Sequence, residues 1–194
     1  MIPSVEVCFR LMDKYQMLEN IKAHSLTVAG AAYLIAGGLR DAGLDLSVEK
    51  TIAGALLHDI GKTASLKTGE DHSEMGRQIC LQNHLDEIAN IVGEHVILKS
   101  YDLNTKCSEK EIVFYADKRV NDDRIVTLEE RLAYIIGRYG RNQERICKAI
   151  RMNFDLCKKI ETKLFSKLDF SPDSLPHLVD NAHVQEISDC FLHS

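Results

Sequence analysis

Two adjacent side chains that can bind a metal, His58 and Asp59, follow a run of mostly small aliphatic residues at positions 52–57. An apolar run of this kind indicates a helix packed inside the protein, where a buried imidazole and carboxylate need compensating partners. A bound divalent cation is the simplest compensation. Its remaining ligands would have to come from other parts of the chain.

Four further ionisable residues lie at positions that favour metal binding. His24, His95 and Asp117 each stand three or four residues from aliphatic residues, a spacing that places them on the buried face of a predicted helix. His72 falls in the first turn of a helix that Asp71 begins, where the helix dipole favours the neutral imidazole that a metal requires. These residues converge on one centre only if several helices meet there.

Each of these residues also has an ordinary explanation. A single inward histidine is most often a hydrogen-bonded core residue, and an inward aspartate can be balanced by an arginine or a helix cap. The joint pattern favours a metal, because several helices each carry such a residue. Two imidazoles with carboxylates suit Fe, Mn, Co, Ni or Zn better than calcium, so the sequence predicts a divalent transition metal, as one or two ions.

The order His24, His58-Asp59 and Asp117 resembles the signature of the HD-domain superfamily of metal-dependent phosphohydrolases, in the subset whose doublet continues as Ile-Gly. The resemblance covers about residues 18–140. It implies an all-α bundle in which these four residues ligate a metal, with Asp59 able to bridge to a second ion. His72 and His95 resemble the additional histidines of binuclear members, which include bacterial diadenosine-tetraphosphate hydrolases. The alternative places both around a single ion, as supporting or phosphate-contacting residues.

The elements that must position these residues are helical throughout, and no strand alternation is evident. We expect an HD-domain helical bundle with extra N- and C-terminal helices: an N-terminal packing helix at 1–17, the HD domain at 18–140, and an extension at 141–194 packed on the same domain. The helix that carries the doublet is predicted from about Val48 to Asp59, with Gly61 as its C-terminal cap. Another is predicted to begin after Thr127, with Tyr139 on its inner side.

Composition and charge narrow the function classes. The net charge of −5 includes no basic stripe, so we expect no nucleic-acid polymer as a partner. Six scattered cysteines without Cys-x-x-Cys spacing are typical of free thiols in a reducing compartment. No long apolar segment is present, so the sequence predicts a cytoplasmic protein without membrane association, in which a homodimer contact through the tail stays open.

The resemblance implies a hydrolase that cleaves a phosphate ester or anhydride of a small nucleotide-like substrate through a metal-bound hydroxide. Asp59 is the predicted bridging or orienting group, and Lys62 the predicted cation beside it. Lys62, Arg119 and Lys118 are candidate contacts for the substrate phosphate, with at most one of the last two facing it. Two other functions stay open: an HD-fold diiron oxygenase, and a non-catalytic module that senses a nucleotide.

Overall fold

The computed structural model of the chain describes residues 1–104, 106–141 and 143–179. Within these ranges the protein is a bundle of helices with one short hairpin. In chain order the elements are α1 (Val5–Lys14), α2 (Glu19–Asp41), α3 (Val48–Leu57), α4 (Lys62–Thr68), α5 (His72–Gln82), α6 (Asp86–Glu94), α7 (Glu109–Lys118), β1 (Val120–Asn121), β2 (Arg124–Ile125), α8 (Leu128–Tyr139), α9 (Glu144–Phe165) and α10 (Leu175–Leu178).

The predicted all-α class is confirmed, with a hairpin added that the sequence did not reveal. Its two antiparallel strands are two residues long each, which is too short to produce an alternating pattern. Asp122 occupies the turn with φ of 53°, a left-handed conformation that aspartate tolerates better than most residues. The hairpin matters for the site, because backbone groups of its turn face α2.

The centre of the bundle is the pair α2 and α3, which pack against each other and against α7. Small residues allow these backbones to approach closely. A Cβ built on Gly54 of α3 would lie 2.6 Å from Ile91 of α6, so α3 also packs closely against α6. The ends of α3 and α6 are thereby held in one region of the core.

The helix α3 ends at Leu57, two residues before the predicted end, and a tight turn leads from His58 into α4. The predicted role of Gly61 as a C-terminal cap is wrong, since its φ is −80° and it stands at the start of α4. Glycine is required there for space. A Cβ on Gly61 would lie 2.4 Å from the carbonyl oxygen of His72 and 2.7 Å from the amide nitrogen of Gly76.

Both ends of the described chain contribute to the same hydrophobic core. Helix α1 buries Cys8, Leu11 and Met12, and α9 buries a row of four residues, Phe154, Cys157, Ile160 and Leu164. Residues 180–194 of the predicted extension lie outside the described residues, so the predicted domain boundaries stay a prediction. Across the described ranges, none of the helices has the length and apolar character needed to span a bilayer.

Candidate metal centre

Four imidazoles and two carboxylates from five parts of the bundle meet at one place, which we call the His/Asp cluster: His24, His58, Asp59, His72, His95 and Asp117. Two groups of three have possible ligand atoms within 4.8 Å of one another, His24 with His58 and Asp59, and Asp59 with His72 and His95. Asp59 belongs to both groups. The structure therefore brings together every residue that the sequence proposed as a ligand.

One half of the cluster is formed by α2, the end of α3 and α7. His24 Nε2 lies 3.1 Å from Asp117 Oδ1, and His58 Nε2 lies 3.6 Å from the same oxygen. His58 Nε2 also lies 3.5 Å from Asp59 Oδ2. Helical spacing places Asp117 on the face of α7 that packs towards α2 and α3.

The other half is formed by the start of α5 and the end of α6. His72 Nε2 lies 3.2 Å from His95 Nε2, and both nitrogens approach Asp59 Oδ1, at 3.4 Å and 3.5 Å respectively. Two imidazole nitrogens and a carboxylate oxygen pointing at one another form a set that a cation between them would satisfy. Asp59 thus offers one oxygen to each half.

The histidine rings are oriented by backbone carbonyls. His58 Nδ1 donates to Ala55 O and His95 Nδ1 to Val92 O, each at 2.6 Å, while His24 Nδ1 donates to Asp122 O at 2.7 Å. Donation from Nδ1 leaves the lone pair on Nε2 in the neutral ring, and Nε2 is the atom that faces the cluster. In these three rings the second nitrogen is thus used to aim the first.

Two atoms at the centre of the cluster are buried with nothing to bond to. Among the described residues, His58 Nε2 and Asp59 Oδ1 are fully buried polar atoms without a hydrogen-bond partner. Such atoms are costly unless something satisfies them, and both are good ligands for a divalent transition metal. The donor set therefore fits a divalent cation.

The electrostatics of the cluster keep its carboxylates charged. Although burial opposes ionisation, His58, His95 and Lys62 hold the pKa of Asp59 well below its usual range. Asp117 behaves likewise: against the effect of burial, His24 holds its pKa well below the usual range.

The pKa values of His72 and His58, in the two halves of the cluster, are shifted in opposite directions. Burial and the neighbouring His95 lower the pKa of His72 to about 4, so this ring is neutral at pH 7. The pKa of His58 is raised: burial acts to lower it, but Asp59 and Asp117 outweigh that effect. A proton on His58 would compete with a cation for Nε2.

Lys62 lies beside the cluster, next to Asp59, as predicted from the sequence. Its Nζ lies 2.6 Å from Asp59 Oδ2, and 32% of its side chain is exposed. Within the cluster His72 is the most exposed member, with 28% of its side chain accessible, against 15% for Asp117 and 2% or less for Asp59, His58 and His95. The cluster is consequently reached from the side of Lys62 and His72.

The two other predicted phosphate contacts, Lys118 and Arg119, donate hydrogen bonds to groups within the protein. Lys118 is buried, and its Nζ donates to the carbonyl oxygens of His95 at 2.9 Å and Phe114 at 3.4 Å. It therefore supports the segment that carries a predicted ligand.

The guanidinium of Arg119 donates to Val126 O at 2.7 Å, to the Tyr115 hydroxyl at 2.5 Å and to Pro172 O at 3.1 Å. These partners lie outside the cluster, so the structure does not bring Arg119 to it. The arginine instead ties α7 to the segment before α10.

One cationic side chain beside the cluster is not predicted by the sequence. Arg131 of α8 is 9% exposed; its Nη1 donates to Asn121 Oδ1 at 2.7 Å, and its Nη2 lies 3.9 Å from Asp117 Oδ1. The helical periodicity of α8 does not indicate that Arg131 lies near the cluster, because a single arginine on an amphipathic helix is ordinarily solvated. Its position depends on the hairpin, which the sequence did not reveal. The prediction that Tyr139, at the end of the same helix, faces inward is wrong, since the residue is 46% exposed.

A helical bundle that encloses such a cluster defines a candidate metal-binding protein. Comparison with known protein families shows which family the chain belongs to. The HD domain family matches residues 21–122, which is more than half of the chain. The chain belongs to the HD domain family.

Several individual proteins are similar to the chain. An uncharacterized protein of Methanocaldococcus jannaschii is 26% identical over 151 residues, covering 71% of this chain and 88% of that protein. Ribonuclease Y of Treponema denticola is 35% identical over 109 residues, which is 56% of this chain but only 20% of the relative. A tRNA (cytidine(56)-2'-O)-methyltransferase of Picrophilus torridus is 30% identical over 143 residues, 66% of this chain and 40% of the relative. No solved structure matches the chain significantly.

Proposed function

We propose that the protein is a metal-dependent phosphohydrolase that cleaves a phosphate ester or anhydride of a small nucleotide-like substrate. The observation that carries the proposal is the His/Asp cluster, in which two buried ligand atoms lack partners and a partly exposed lysine stands at the open side. Membership of the HD domain family supports the same class of reaction.

The residues divide into two ligand groups that share Asp59. His24, His58 and Asp117 would hold one divalent ion, and His72 with His95 would hold a second, with one oxygen of Asp59 facing each group. When bound, the metal would supply Lewis acidity, polarising a phosphoryl oxygen and acidifying a water molecule. Backbone carbonyl groups bonded to Nδ1 keep the rings of His24, His58 and His95 oriented towards the cluster.

Lys62 is the residue of this chain suited to meet the substrate phosphate. Its ammonium group is paired with Asp59 and still partly exposed, so it can contact an anion at the open side of the cluster. A positive group fixed there would offset the charge that develops on phosphoryl oxygens during hydrolysis. Asp59 holds the lysine in place while contributing to both ligand groups.

A second candidate substrate is an RNA phosphodiester. It is favoured by the similarity to ribonuclease Y, although the chain spans about a fifth of that relative. The net charge of −5 favours a small substrate, because polymer binding depends largely on basic residues along the phosphate backbone.

A substrate panel, run both without and with oxygen, tests the proposal. Protein loaded with Mn²⁺, Co²⁺ or Fe²⁺ is assayed on nucleoside monophosphates, dinucleoside polyphosphates and a short single-stranded RNA. We expect release of phosphate or of a nucleotide product from a small substrate, with loss of bound metal and of turnover in Asp59→Asn.

The Lys62→Met variant should retain metal and lose most of its turnover. Lys67→Met, which removes an exposed lysine from the same helix, should behave as the unmodified protein. Turnover that depends on oxygen would indicate the oxygenase, and saturable nucleotide binding without any turnover would indicate the sensing module. Either result contradicts the hydrolase.

A further inference from the structure

Lys118 is a buried cation that contacts both halves of the His/Asp cluster. It is the last residue of α7, directly after Asp117, and 6% of its side chain is exposed. Its Nζ donates to His95 O at 2.9 Å and to Phe114 O at 3.4 Å, and it lies 3.9 Å from Asp117 Oδ2. Asp117 belongs to one half of the cluster and His95 to the other, so a single ammonium group lies against a member of each.

The contact with Asp117 favours one orientation of its carboxylate. The ammonium group of Lys118 attracts Oδ2, while Oδ1 lies 3.1 Å from His24 Nε2 and 3.6 Å from His58 Nε2. Without the ammonium, the cation left at this carboxylate would be Arg131, whose Nη2 lies 3.9 Å from Oδ1. Lys118 therefore helps to keep Oδ1 facing the two imidazoles.

The contact with His95 fixes the backbone at the end of α6. His95 is the C-terminal capping residue of that helix, and carbonyl groups at a helix end have no donor within the helix. Lys118 supplies the donor, and a positive charge is favourable at this end of a helix. Since Val92 O already orients the ring through Nδ1, the backbone contact completes the placement of Nε2, 3.5 Å from Asp59 Oδ1.

The aromatic ring of Phe114 holds the ammonium group between these partners. Nζ of Lys118 lies 3.6 Å from the centroid of this fully buried ring, a cation–π contact. A buried ammonium is costly unless such groups surround it, and here a ring, two carbonyl oxygens and a carboxylate do so. The lysine is therefore held in one place, and displacement of either half of the cluster would disturb its bonds to the other.

We propose that Lys118 is a positioning residue that holds Asp117 and His95 in register and so supports metal binding in both halves of the cluster. This inference rests on the metal binding that the proposed function requires. Lys118 acts through the two candidate ligands and touches neither metal nor substrate. Residues that orient metal ligands in this way commonly contribute about 10–100-fold to metal affinity.

Variants that keep one half of the cluster measure the two contacts separately. His72→Ala leaves the half that contains Asp117, and His24→Ala leaves the half that contains His95. In calorimetric titration with Mn²⁺, adding Lys118→Met to either variant should weaken binding about ten-fold, the lower end of the range for orienting residues. Methionine keeps a long apolar side chain, so the change removes chiefly the ammonium group. The visible absorption of bound Co²⁺, which depends on ligand geometry, should change as well.

Lys163 provides a matched control, because it is another buried lysine with similar partners outside the cluster. Its side chain is 9% exposed, and its Nζ donates to Asp102 O at 2.9 Å, to Lys106 O at 3.1 Å and to Glu111 Oε1 at 2.8 Å. Lys163→Met should lower the melting temperature as Lys118→Met does. It should leave the Mn²⁺ affinity of either half within about two-fold, as expected for an independent position.

A second variant covers the case in which Lys118→Met does not fold. Lys118→Gln removes the charge but keeps a hydrogen-bond donor for the carbonyl groups. It should remain folded and still weaken the half that contains Asp117. Unchanged Mn²⁺ affinity of that half in the folded glutamine variant would contradict the proposal.

The remaining outcomes separate this inference from the proposed function. Weaker Mn²⁺ binding in only one half, or an equal loss in Lys163→Met, would overturn the role of Lys118 even if the protein hydrolyses phosphate esters. Binding that depends on Lys118 in both halves, in a protein without turnover on the substrate panel, would support the positioning role and contradict the hydrolase. Absence of Mn²⁺ binding in the unmodified protein would overturn both.

Discussion

The substitution Gly61→Ala tests how the second half of the cluster is built. Gly61 lies in the turn between α3 and α4, directly against the first turns of α5, which begins with His72. Its φ of −80° suits alanine, so the substitution introduces no backbone strain of its own. The effect of the added methyl group is therefore steric.

The magnitude follows from three contacts. The new Cβ would lie 2.4 Å from His72 O, 2.7 Å from Gly76 N and 3.0 Å from Met75 Cβ, whereas ordinary contacts begin at 3.4 Å. Two of the three atoms belong to the backbone and cannot rotate away, so α5 must shift by about 1 Å. Overpacking of this kind costs about 1–3 kcal/mol, and backbone contacts place this case near 3. For a chain of this length the melting temperature should fall by about 6–12 °C.

The same shift should weaken one ligand group and spare the other. His72 Nε2 now lies 3.4 Å from Asp59 Oδ1 and 3.2 Å from His95 Nε2, and both distances would widen as α5 moves. His24 and Asp117 lie on α2 and α7, which supply none of the three atoms nearest to a Cβ on Gly61.

Calorimetric titration with Mn²⁺ should then show weaker binding at one of two sites. Gly37→Ala, in α2, is the control, because its Cβ would meet nothing within 4 Å. Unchanged melting temperature and metal affinity in Gly61→Ala would refute the reasoning.

Three further predictions concern the core and the metal. Glu111 is buried and its Oε1 lies 2.8 Å from Lys163 Nζ, so Glu111→Ala should lower the free energy of unfolding by about 3–5 kcal/mol in urea titrations; a loss below 1 kcal/mol would contradict this. Burial raises the pKa of the Cys157 thiol to about 12, so at pH 8 a thiol reagent should modify half-buried Cys147 and leave Cys157 unmodified until the protein unfolds, as peptide mass mapping can show. Mn²⁺ at a hundred times its dissociation constant should add about 2.7 kcal/mol of stability, seen as a higher melting temperature, and His58→Ala should abolish the shift.

The sequence contained enough information to identify the residues of the His/Asp cluster. The His58-Asp59 doublet at the end of an apolar run, and the helical spacing around His24, His95 and Asp117, placed each side chain on an inward face. Periodicity works for such residues because a helix fixes the direction of a side chain from its position alone. The structure then brings these faces together, as the family resemblance implied.

Features that depend on contacts between distant segments were not predictable in this way. The hairpin of β1 and β2 is too short to leave a pattern, yet the carbonyl of Asp122 in its turn orients His24, and Asn121 in β1 holds Arg131 near Asp117. The sequence predicts Gly61 as a helix cap because it shows the residue type and not the atoms packed against it.

The positions of His58 and His95 at helix ends have a common physical reason. The last four carbonyl groups of a helix have no intrahelical donor, and Ala55 O and Val92 O are such groups in α3 and α6. Each histidine donates its Nδ1 proton to the carbonyl three residues before it, which satisfies that carbonyl and turns Nε2 towards Asp59. A histidine in the middle of a helix would find these carbonyls already bonded. The helix end therefore supplies the ring orientation that a ligand needs, and two helices ending at the same carboxylate build the interior of the candidate metal centre from local structure.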